Sequence, residues 1–154
     1  MKSVLICGTT GFIGGALYKA VPEEAKVYAT LGRNDLDLTT PRGCELAVHQ
    51  AFDVVYLCAG VTGGSGTITS ADPLSLVTPN ILIHLHMFEA CKRMGVKKVI
   101  CLSSTTGYPD TDLPMREEDY FFGELHPAYF NPGHTRRFIE RLGAMYPELN
   151  VVFL

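Results

Sequence analysis

An apolar run that ends in a glycine-rich turn and leads directly into a helical pattern constrains the fold of this chain most strongly. The run is Ser3–Cys7, and the turn reads Gly8-Thr9-Thr10-Gly11-Phe12-Ile13-Gly14. From Phe12 to Val21 the apolar residues return at helical spacing. Glycines at such a junction permit a tight turn and close packing of helix on strand. The segment therefore predicts a strand, a tight turn and a helix packed against that strand.

Strand and helix patterns alternate along the rest of the 154 residues. Apolar runs predict further strands at Lys26–Leu31, Asp53–Gly60, Val96–Leu102 and Val151–Leu154. Helical spacing predicts helices at Gly43–Phe52, Ser75–Met94 and His134–Tyr146, with a bend or a delayed start at Pro79. The stretch from Tyr108 to Pro132 is expected to be irregular. This alternation favours an α/β fold of the Rossmann type, a doubly wound parallel sheet with helices on both faces.

Length and composition fit one compact domain over residues 1–154, with 47% hydrophobic and 19% charged residues. The formal net charge of -3 offers no general attraction to nucleic acid or to an anionic membrane surface. No apolar run is long enough to span a bilayer. Because the chain stops inside an apolar strand pattern at Leu154, we expect it to be either a truncated gene product or an incomplete part of a longer protein.

The five cysteines are an odd number without paired spacing, so neither a disulfide framework nor a zinc site is expected. Several of them lie in apolar runs, where a free cysteine behaves as a small buried hydrophobic residue. The N-terminus carries no secretion-signal pattern. These features predict a cytoplasmic protein without a bound metal.

The glycine-rich turn is also the strongest chemical signal in the sequence. Gly8, Gly11 and Gly14 follow a strand and open a helix, and a helix N-terminus offers N–H donors and a positive dipole end to phosphates. We therefore predict a dinucleotide-binding loop. The alternative is a glycine-rich turn that binds no ligand.

The residues after the second predicted strand bear on the choice between NADP and NAD. Arg33 could meet the 2′-phosphate of NADP, whereas Asp35 could serve the ribose hydroxyls of NAD. An ordinary solvated turn arginine is the alternative. The pattern favours NADP mildly.

With these features and several further segments, the chain resembles the extended short-chain dehydrogenases of the NAD-dependent epimerase/dehydratase family. Within that family it is most similar to the GDP-fucose synthases, the GDP-4-keto-6-deoxymannose epimerase-reductases. The segments that carry the resemblance are Val55–Gly60 leading into Gly63-Gly64, Pro79–Ile83 with Gly95–Val99, and Ser103–Pro109 with Leu113–Met115, Glu117 and Gly123–Pro127. The match covers only the first half of such an enzyme. The resemblance therefore implies a cofactor domain whose C-terminal substrate domain is absent from this chain.

The resemblance assigns cofactor contacts to particular residues. Gly8, Gly11 and Gly14 would hold the pyrophosphate, with backbone donors from Phe12 and Ile13. A second group would line the nucleoside parts: Asp37 and Leu38 against the adenine, and Ala59 and Gly60 along the ribose and pyrophosphate. Asn80 matches an asparagine at the start of the long helix, where a helix cap is the alternative.

The resemblance also implies a catalytic hydroxyl. Ser104, four residues before Tyr108, matches the family's catalytic serine or threonine, which would hydrogen-bond a substrate carbonyl at the crevice. The alternative is an ordinary serine at the end of a strand. Thr106 stands where the GDP-fucose synthases place a cysteine used in epimerisation. Threonine is a poor proton carrier, so epimerisation by that route is not expected.

The family's Tyr-x-x-x-Lys motif, whose lysine lowers the tyrosine pKa, is incomplete here. Alignment on Tyr129 puts Gly133 in the lysine position. Alignment on Glu140 puts Arg136 there and Pro132 in the tyrosine position. No register supplies both residues, and arginine does not replace lysine in tuning a phenol.

The dipeptide Pro132-Gly133 is expected to disrupt any helix that carries Tyr129. Tyr129 is therefore either the family's catalytic tyrosine or a packed loop aromatic. His134 could serve as a substitute acid near neutral pH, or it could simply occupy the start of a helix. His84 and His86, two residues apart on a helix, are not expected to form a metal pair.

The arginines at positions 136, 137 and 141 could contact a substrate phosphate, or they could lie on a solvated helix face.

Two hypotheses for function follow. The chain is the cofactor-binding part of an NAD(P)-dependent epimerase, reductase or dehydratase acting on a nucleotide-linked keto sugar. Alternatively, it is a catalytically degenerate dinucleotide-binding module or subunit. The resemblance also implies a homodimer formed through the helices at Ser75–Met94 and His134–Tyr146.

Overall fold

The computed structural model describes residues 2–22, 24–30, 34, 36–63, 72 and 74–154. Its strands are β1 (Ser3–Cys7), β2 (Lys26–Thr30), β3 (Val54–Leu57), β4 (Val99–Cys101) and β5 (Val151–Phe153). Its α-helices are α1 (Phe12–Ala20), α2 (Pro41–Ala47), α3 (Leu74–Met94) and α4 (Phe130–Ala144). Short 3₁₀ helices lie at Thr105–Gly107, Glu117–Phe121, Pro127–Tyr129 and Pro147–Leu149.

The five strands form one parallel sheet in the order β2-β1-β3-β4-β5. Connections from β1 and from β3 therefore run towards opposite edges of the sheet. In doubly wound sheets, ligands bind in the crevice at the carboxyl ends of the strands where this change of direction occurs. The predicted glycine loop follows β1 directly and so lies at that crevice.

The helices cover both faces of the sheet, as the alternating pattern predicts. Helix α2 packs on α3 and α3 packs on α4, so these three form one layer. Right-handed crossovers place α1 on the opposite face, because the chain leaves β1 towards β2 and later returns past it to β3. The Rossmann-type fold class is confirmed.

The main core lies between the sheet and the layer formed by α2, α3 and α4. Neighbouring positions on three strands, Leu5, Val55 and Val99, are all buried there. The aromatic rings of Phe52 and Phe88 are fully buried against them. Strands of this type read as nearly continuous apolar runs, which is why the sequence identified them.

Two predicted helix boundaries need correction. Helix α2 does not run over Gly43–Phe52 but over Pro41–Ala47, because Thr40 caps it by accepting a hydrogen bond from the Gly43 amide and Pro41 fills its first turn. Helix α3 starts at Leu74 and continues through Pro79, so a delayed start is wrong. The strands at β3 and β4 are shorter than the apolar runs that predicted them.

Helix α4 also begins earlier than predicted. It runs over Phe130–Ala144 instead of His134–Tyr146, and it includes both Pro132 and Gly133. Pro132 lies in the first turn, where the helix would leave a backbone N–H unpaired in any case, so the proline is tolerated. The helix begins after Tyr129 and so does not carry that residue, in keeping with the expectation for this dipeptide. The Tyr108–Pro132 stretch contains short 3₁₀ helices.

The longest helix, α3, has 21 residues. None of the described helices combines the length and the apolar character needed to cross a membrane.

Candidate dinucleotide-binding site

Two glycines of the loop have no room for a side chain, because Gly8 lies against the backbone that follows β3 and Gly14 lies against Gly8. Gly8 has a φ of +87°, and a Cβ added there would lie 2.8 Å from the backbone of Ala59. A Cβ on Gly14 would lie 2.3 Å from the Gly8 carbonyl oxygen. The loop closes with a hydrogen bond of 3.0 Å from the Gly11 amide to the Gly8 carbonyl. Its glycines therefore permit the close approach of loop, helix and strand that a pyrophosphate cradle requires.

The N-terminus of α1 presents backbone donors that have no acceptor among the residues described. Gly11 occupies the N-cap position and has no side chain with which to cap the helix. The amides of Phe12 and Ile13 have no hydrogen-bond acceptor among the described residues. The Phe12 side chain is 95% exposed, so it does not cover them with protein. Uncapped N–H groups at the positive end of a helix dipole are suited to bind phosphate oxygens.

One cleft brings together six of the predicted cofactor contacts. It encloses about 190 Å³ between the ends of β1, β2 and β3. The predicted residues among its lining are Gly8, Gly11, Asp37, Leu38, Ala59 and Gly60. Those that sequence reasoning missed are Thr10, Thr30, Leu36, Thr39, Cys58, Val61 and Ile83. Arg33 and Asp35, on which the choice of NADP or NAD depends, lie outside the described residues.

Thr30, at the end of β2, fixes the glycine loop from the second strand. Its hydroxyl accepts a hydrogen bond of 3.1 Å from the Gly8 amide, and its carbonyl accepts one of 2.8 Å from the Thr9 hydroxyl. Sequence reasoning did not single it out. The available signal was a polar residue at the carboxyl end of an otherwise apolar strand.

Asp37 shapes the cleft wall through the turn that precedes α2. Its carboxylate accepts hydrogen bonds from the Thr39 amide at 2.9 Å and from the Thr39 hydroxyl at 2.7 Å. Leu38, beside it, is buried with the core and also lines the cleft. The pair offers a polar group next to an apolar surface, which suits a purine ring.

Asn80 is neither at the start of α3 nor a cap. It is buried within the helix, and its side chain clamps the loop after β3: Oδ1 accepts from the Val61 amide at 3.1 Å, and Nδ2 donates to the Val61 carbonyl at 2.8 Å. A Cβ on Gly60 would lie 3.0 Å from the same Oδ1. Asn80 therefore holds the backbone that forms one wall of the cleft.

Ser104 lies in a second cavity, of about 590 Å³, beyond the end of β4. Its hydroxyl oxygen is 2.9 Å from the Thr106 hydroxyl and accepts a longer hydrogen bond, 3.3 Å, from the Thr106 amide. When Thr106 donates to Ser104, the Ser104 proton remains available for an acceptor in the cavity. Thr106 thus orients the hydroxyl that the family resemblance assigns to catalysis.

A hydrogen-bonded chain of three side chains lies on the wall of the same cavity, and sequence reasoning did not find it. Ser103 donates to the Glu140 carboxylate, and the Tyr120 hydroxyl lies 3.1 Å from the Ser103 oxygen. Burial raises the pKa of Tyr120 to about 12, so its phenol stays protonated near neutral pH. The chain joins the end of β4 to α4 and to the 3₁₀ helix at Glu117–Phe121.

The structure does not bring Tyr129 into either the cleft or the cavity. Tyr129 is the residue before α4, its side chain is 38% exposed, and its ring contacts His126. Gly133, one turn later, packs so tightly that an added Cβ would lie 2.4 Å from the Thr106 carbonyl oxygen. When the Tyr-x-x-x-Lys motif is aligned on Tyr129, Gly133 takes the lysine position. This position therefore has no room for a side chain.

The arginines of α4 do not form a solvated face, which corrects one of the expectations. Arg137 donates to three backbone carbonyls, and Arg136 reaches the Leu102 carbonyl. Arg141 is exposed, and its guanidinium stacks 4.6 Å from the ring centre of Phe121.

His134 and the cysteines lie in surroundings that indicate packing and not a metal site. His134 is exposed and contacts the Phe130 ring, with centroids 4.5 Å apart. Within the described part of the chain, no three His, Cys, Asp or Glu side chains are grouped to hold a metal ion. All five cysteines are free thiols, and four of them are buried, at positions 7, 44, 91 and 101.

A parallel doubly wound sheet with a glycine loop at its crevice places the chain in the Rossmann-type class of nucleotide-binding folds. The sequence model of the NAD dependent epimerase/dehydratase family matches residues 4–130. The chain belongs to this family.

The chain is similar to several proteins named as GDP-L-fucose synthases. The chain is 28% identical over 146 residues to a Drosophila melanogaster protein named probable GDP-L-fucose synthase, a match covering 91% of this chain and 45% of the relative. It is 30% identical over 134 residues to the GDP-L-fucose synthase of Escherichia coli, covering 82% and 40%. A crystal structure of a GDP-L-fucose synthetase from Naegleria fowleri bound to NADP superposes with a TM-score of 0.83 at 26% identity, covering 99% of this chain and 51% of that one. The chain thus spans about half the length of these relatives.

Proposed function

We propose that this chain binds NADP or NAD as the cofactor-binding part of a nucleotide-sugar epimerase, reductase or dehydratase. The observation that carries the proposal is the glycine loop at the crevice, where Gly8 and Gly11 line a cleft together with Asp37, Ala59 and Gly60. The adjoining N-terminus of α1 has no side-chain cap. The residues present fit a dinucleotide, because a Cβ at Gly8 or Gly14 would fill the close approach between loop and strand.

NADP is the favoured cofactor within this proposal. Arg33 offers a cation to a 2′-phosphate, and the similar synthetase from Naegleria fowleri is described with NADP bound. Asp35 would support NAD instead.

The reaction that we propose is hydride transfer to or from a nucleotide-linked keto sugar. The bound nicotinamide would supply or accept the hydride. Ser104 would donate a hydrogen bond to the sugar carbonyl oxygen, while Thr106 holds the Ser104 hydroxyl in place. Relatives named as GDP-L-fucose synthases support a GDP-linked keto sugar as the substrate.

A second candidate is a dinucleotide-binding module or subunit without chemistry of its own. It is favoured by one specific observation: Tyr129 lies outside the cavity that contains Ser104, and Gly133 cannot carry a longer side chain. NADPH oxidation in the presence of GDP-4-keto-6-deoxymannose separates the two candidates. Oxidation that is lost in Ser104→Ala supports the enzyme, whereas tight NADPH binding without any oxidation supports the module.

A cytoplasmic location and a homodimer also belong to this proposal. The free and mostly buried thiols support a reducing compartment for the protein. The exposed Phe138 on α4 and the exposed Leu74 on α3 give these helices apolar surface for a second copy. Light scattering at increasing chain concentration measures the mass, and a strictly monomeric chain would contradict the dimer.

Calorimetric titration with NADPH and NADH tests the cofactor proposal, and a matched pair of variants sharpens it. Gly11→Ala and Gly11→Asp both add a Cβ, which would lie 3.3 Å from the Gly8 carbonyl, but only aspartate adds a negative charge at the N-terminus of α1. Aspartate is a favourable N-cap, so the fold should tolerate it. A charge facing the phosphates should weaken binding by about 100-fold relative to Gly11→Ala.

Wild-type chain that is folded and binds neither nucleotide would overturn the cofactor proposal. Equal affinities of Gly11→Ala and Gly11→Asp would show that the phosphates do not lie at this helix end. The preferred nucleotide would decide the role of Arg33, since Arg33→Ser should weaken NADPH binding but not NADH binding.

A further inference from the structure

The described lining of the cavity that contains Ser104 does not include the tyrosine and lysine with which the family moves a proton. Tyr129 lies outside this cavity, and Gly133 has no room for a lysine side chain. A reaction that interconverts a hydroxyl and a carbonyl nevertheless has to release or take up one proton at the oxygen. For the proposed reaction, another side chain on the wall of the cavity has to carry that proton.

Tyr120 places a buried phenol on this wall. It belongs to the 3₁₀ helix at Glu117–Phe121, lines the cavity together with Ser104, and is only 5% exposed. Gly107 makes room for it, since an added Cβ at that position would lie 2.3 Å from the phenol oxygen. An edge-on contact with Tyr108, with ring centroids 5.0 Å apart, also holds the ring. The phenol is thus packed into a defined position beside the cavity.

The hydrogen bonds behind Tyr120 have one direction. A carboxylate only accepts hydrogen bonds, so the Ser103 hydroxyl donates to Glu140. The Ser103 oxygen, 3.1 Å from the Tyr120 oxygen, then accepts the hydrogen bond of the phenol. Because the phenol proton points at Ser103, the lone pairs of the phenol oxygen remain available to a donor in the cavity. Tyr120, Ser103 and Glu140 therefore form a proton path that leads out of the cavity.

Glu140 is a suitable outer end for the proton path. Its side chain is half-buried, so a proton taken up there can exchange with water. Burial raises the pKa of Tyr120 to about 12, and the charge of the Glu140 carboxylate adds to this rise. The phenol therefore stays protonated and can only pass a proton onwards. Glu117, an exposed carboxylate that also lines the cavity, has no hydrogen bond to the path among the described residues.

We propose that Tyr120, backed by Ser103 and Glu140, moves the proton between the substrate oxygen and water in place of the family's tyrosine–lysine pair. This inference rests on the proposed function. In the oxidative direction the substrate hydroxyl gives its proton to the Tyr120 oxygen, the phenol proton moves to Ser103, and the Ser103 proton moves to Glu140. The substrate carbon gives its hydride to the nicotinamide, so one O–H and one C–H bond are replaced by the π bond of the carbonyl. Reduction uses the same transfers in reverse.

Three single variants interrupt the proton path at different points: Tyr120→Phe, Ser103→Ala and Glu140→Gln. Glu118→Gln is the matched control, because Glu118 is an exposed carboxylate of the same 3₁₀ helix and is not part of the described cavity lining. Glu117→Gln tests the other carboxylate of the cavity. The assay follows NADPH oxidation with GDP-4-keto-6-deoxymannose. Calorimetry measures the affinity for NADPH, and circular dichroism checks folding.

Each of the three path variants should lower kcat by about 100-fold, the lower end of the range for general acid–base catalysis, with the NADPH affinity nearly unchanged. Tyr120→Phe combined with Glu140→Gln should lose no more than Tyr120→Phe alone, because residues of one path act as a unit. Glu118→Gln should keep the wild-type kcat. Formate should restore part of the rate of Glu140→Ala, since it supplies the missing carboxylate. A purely structural role of Glu140 would give no such rescue.

The proton path also predicts a signal that does not depend on turnover. In a chain labelled with carbon-13 at the tyrosine ζ carbons, Tyr120→Phe identifies the magnetic resonance signal of Tyr120. Glu140→Gln should move that signal, because the charge and the hydrogen bonding next to the phenol change. Glu118→Gln should leave it in place.

A wild-type kcat in any of the three path variants would overturn the inference, and so would a loss that appears in Glu117→Gln instead of Glu140→Gln. An unmoved Tyr120 signal in Glu140→Gln would do the same. If Tyr120→Phe does not fold, the half-buried Glu140 carries the comparison through Glu140→Gln and the rescue by formate. A wild-type chain that binds NADPH without oxidising it would instead refute the proposed reaction, and the inference with it.

Discussion

One buried histidine, His84, is expected to make the stability of the fold depend on pH. It is buried in α3, and its Nδ1 lies 2.7 Å from the Asn80 carbonyl. A carbonyl only accepts, so Nδ1 carries the proton of the ring. Burial lowers the pKa of His84 to about 4, against the ordinary value of 6.5. The neutral imidazole is therefore part of the folded structure near neutral pH.

We expect the free energy of unfolding to fall on acidification because of His84. In the unfolded chain the ring takes up a proton as the pH drops below 6.5, whereas in the folded chain it does so only near 4. The contribution of the neutral ring to the free energy of unfolding is therefore complete above pH 6.5. It is lost as the pH falls from 6.5 to about 4, and the loss is roughly 3 kcal/mol. Urea unfolding at several pH values measures this slope.

His84→Leu should remove most of that slope, while His134→Gln, which alters an exposed histidine, should leave it in place. An unchanged slope in His84→Leu would contradict the assignment to this ring.

The sequence identifies residues whose type and spacing indicate their role. It does not identify residues whose role depends on where the side chain points. Gly8, Gly11 and Gly14 were identifiable because glycines at this spacing, directly after a strand, are typical of a loop that approaches a pyrophosphate. Thr30 was not, because a threonine at the end of a strand is common on any surface. Only the pairing of strands determines where its side chain points.

Helix α4 is the element on which the proposed chemistry depends most. It brings Arg136 and Glu140 to the end of β4, and Arg137 anchors the loops around the second cavity. Close contact at its first turn is possible because Gly133 allows the Thr106 carbonyl to approach. The same contact fixes the position of the Thr106 segment that orients Ser104.

We predict that Gly133→Lys destabilises the chain and does not create the family's tyrosine–lysine pair. Its Cβ would lie 2.4 Å from the Thr106 carbonyl and 2.7 Å from Leu125, so the helix would have to move away from the loop. Overpacking of this kind costs about 1–3 kcal/mol. Chemical denaturation measures the loss, and Asn131→Lys is the control because Asn131 is exposed in the same turn. Equal stability of the two variants would show that the first turn of α4 can shift freely.

At the level of the elements, existence and type could be predicted, but several boundaries could not. The alternation of apolar runs identified every described strand. Helix α4 was predicted to begin too late, because a proline is excluded from helix interiors but accepted in a first turn, and the sequence does not say which turn it occupies. The cap at Thr40 followed by Pro41 was a readable signal for the start of α2.

For the whole molecule, the cleft exists only through the sheet order. Gly8 and Gly11 come from the connection after β1, Asp37 from the connection after β2, and Ala59 and Gly60 from the end of β3. Neighbouring strands are held in register by the parallel ladders that join them. A dinucleotide that contacts all three connections would therefore bind the folded chain and not the unfolded one.

We expect NADPH at 100 times its dissociation constant to stabilise the wild-type chain by about 2.7 kcal/mol, which corresponds to a rise in Tm of roughly 5 to 10 °C. Gly11→Asp, whose affinity is expected to be about 100-fold lower, should gain only about 0.4 kcal/mol at the same concentration, a rise in Tm of roughly 1 to 2 °C. Thermal unfolding followed by circular dichroism measures both. An equal rise in the two proteins would locate NADPH binding away from the glycine loop.

The order β2-β1-β3 also has a kinetic consequence. Strand β2 and helix α2 lie between β1 and β3 in the sequence. Strand β1 must pair with β3 before the glycine loop after β1 and the residues after β3 become neighbours in the cleft. Such distant pairing closes a long loop and belongs to the slow part of folding. A transition state in which β3 has not yet joined β1 offers the ligand no complete site. In that case the dinucleotide would slow unfolding and leave the refolding rate nearly unchanged. It would stabilise the completed sheet without accelerating its formation.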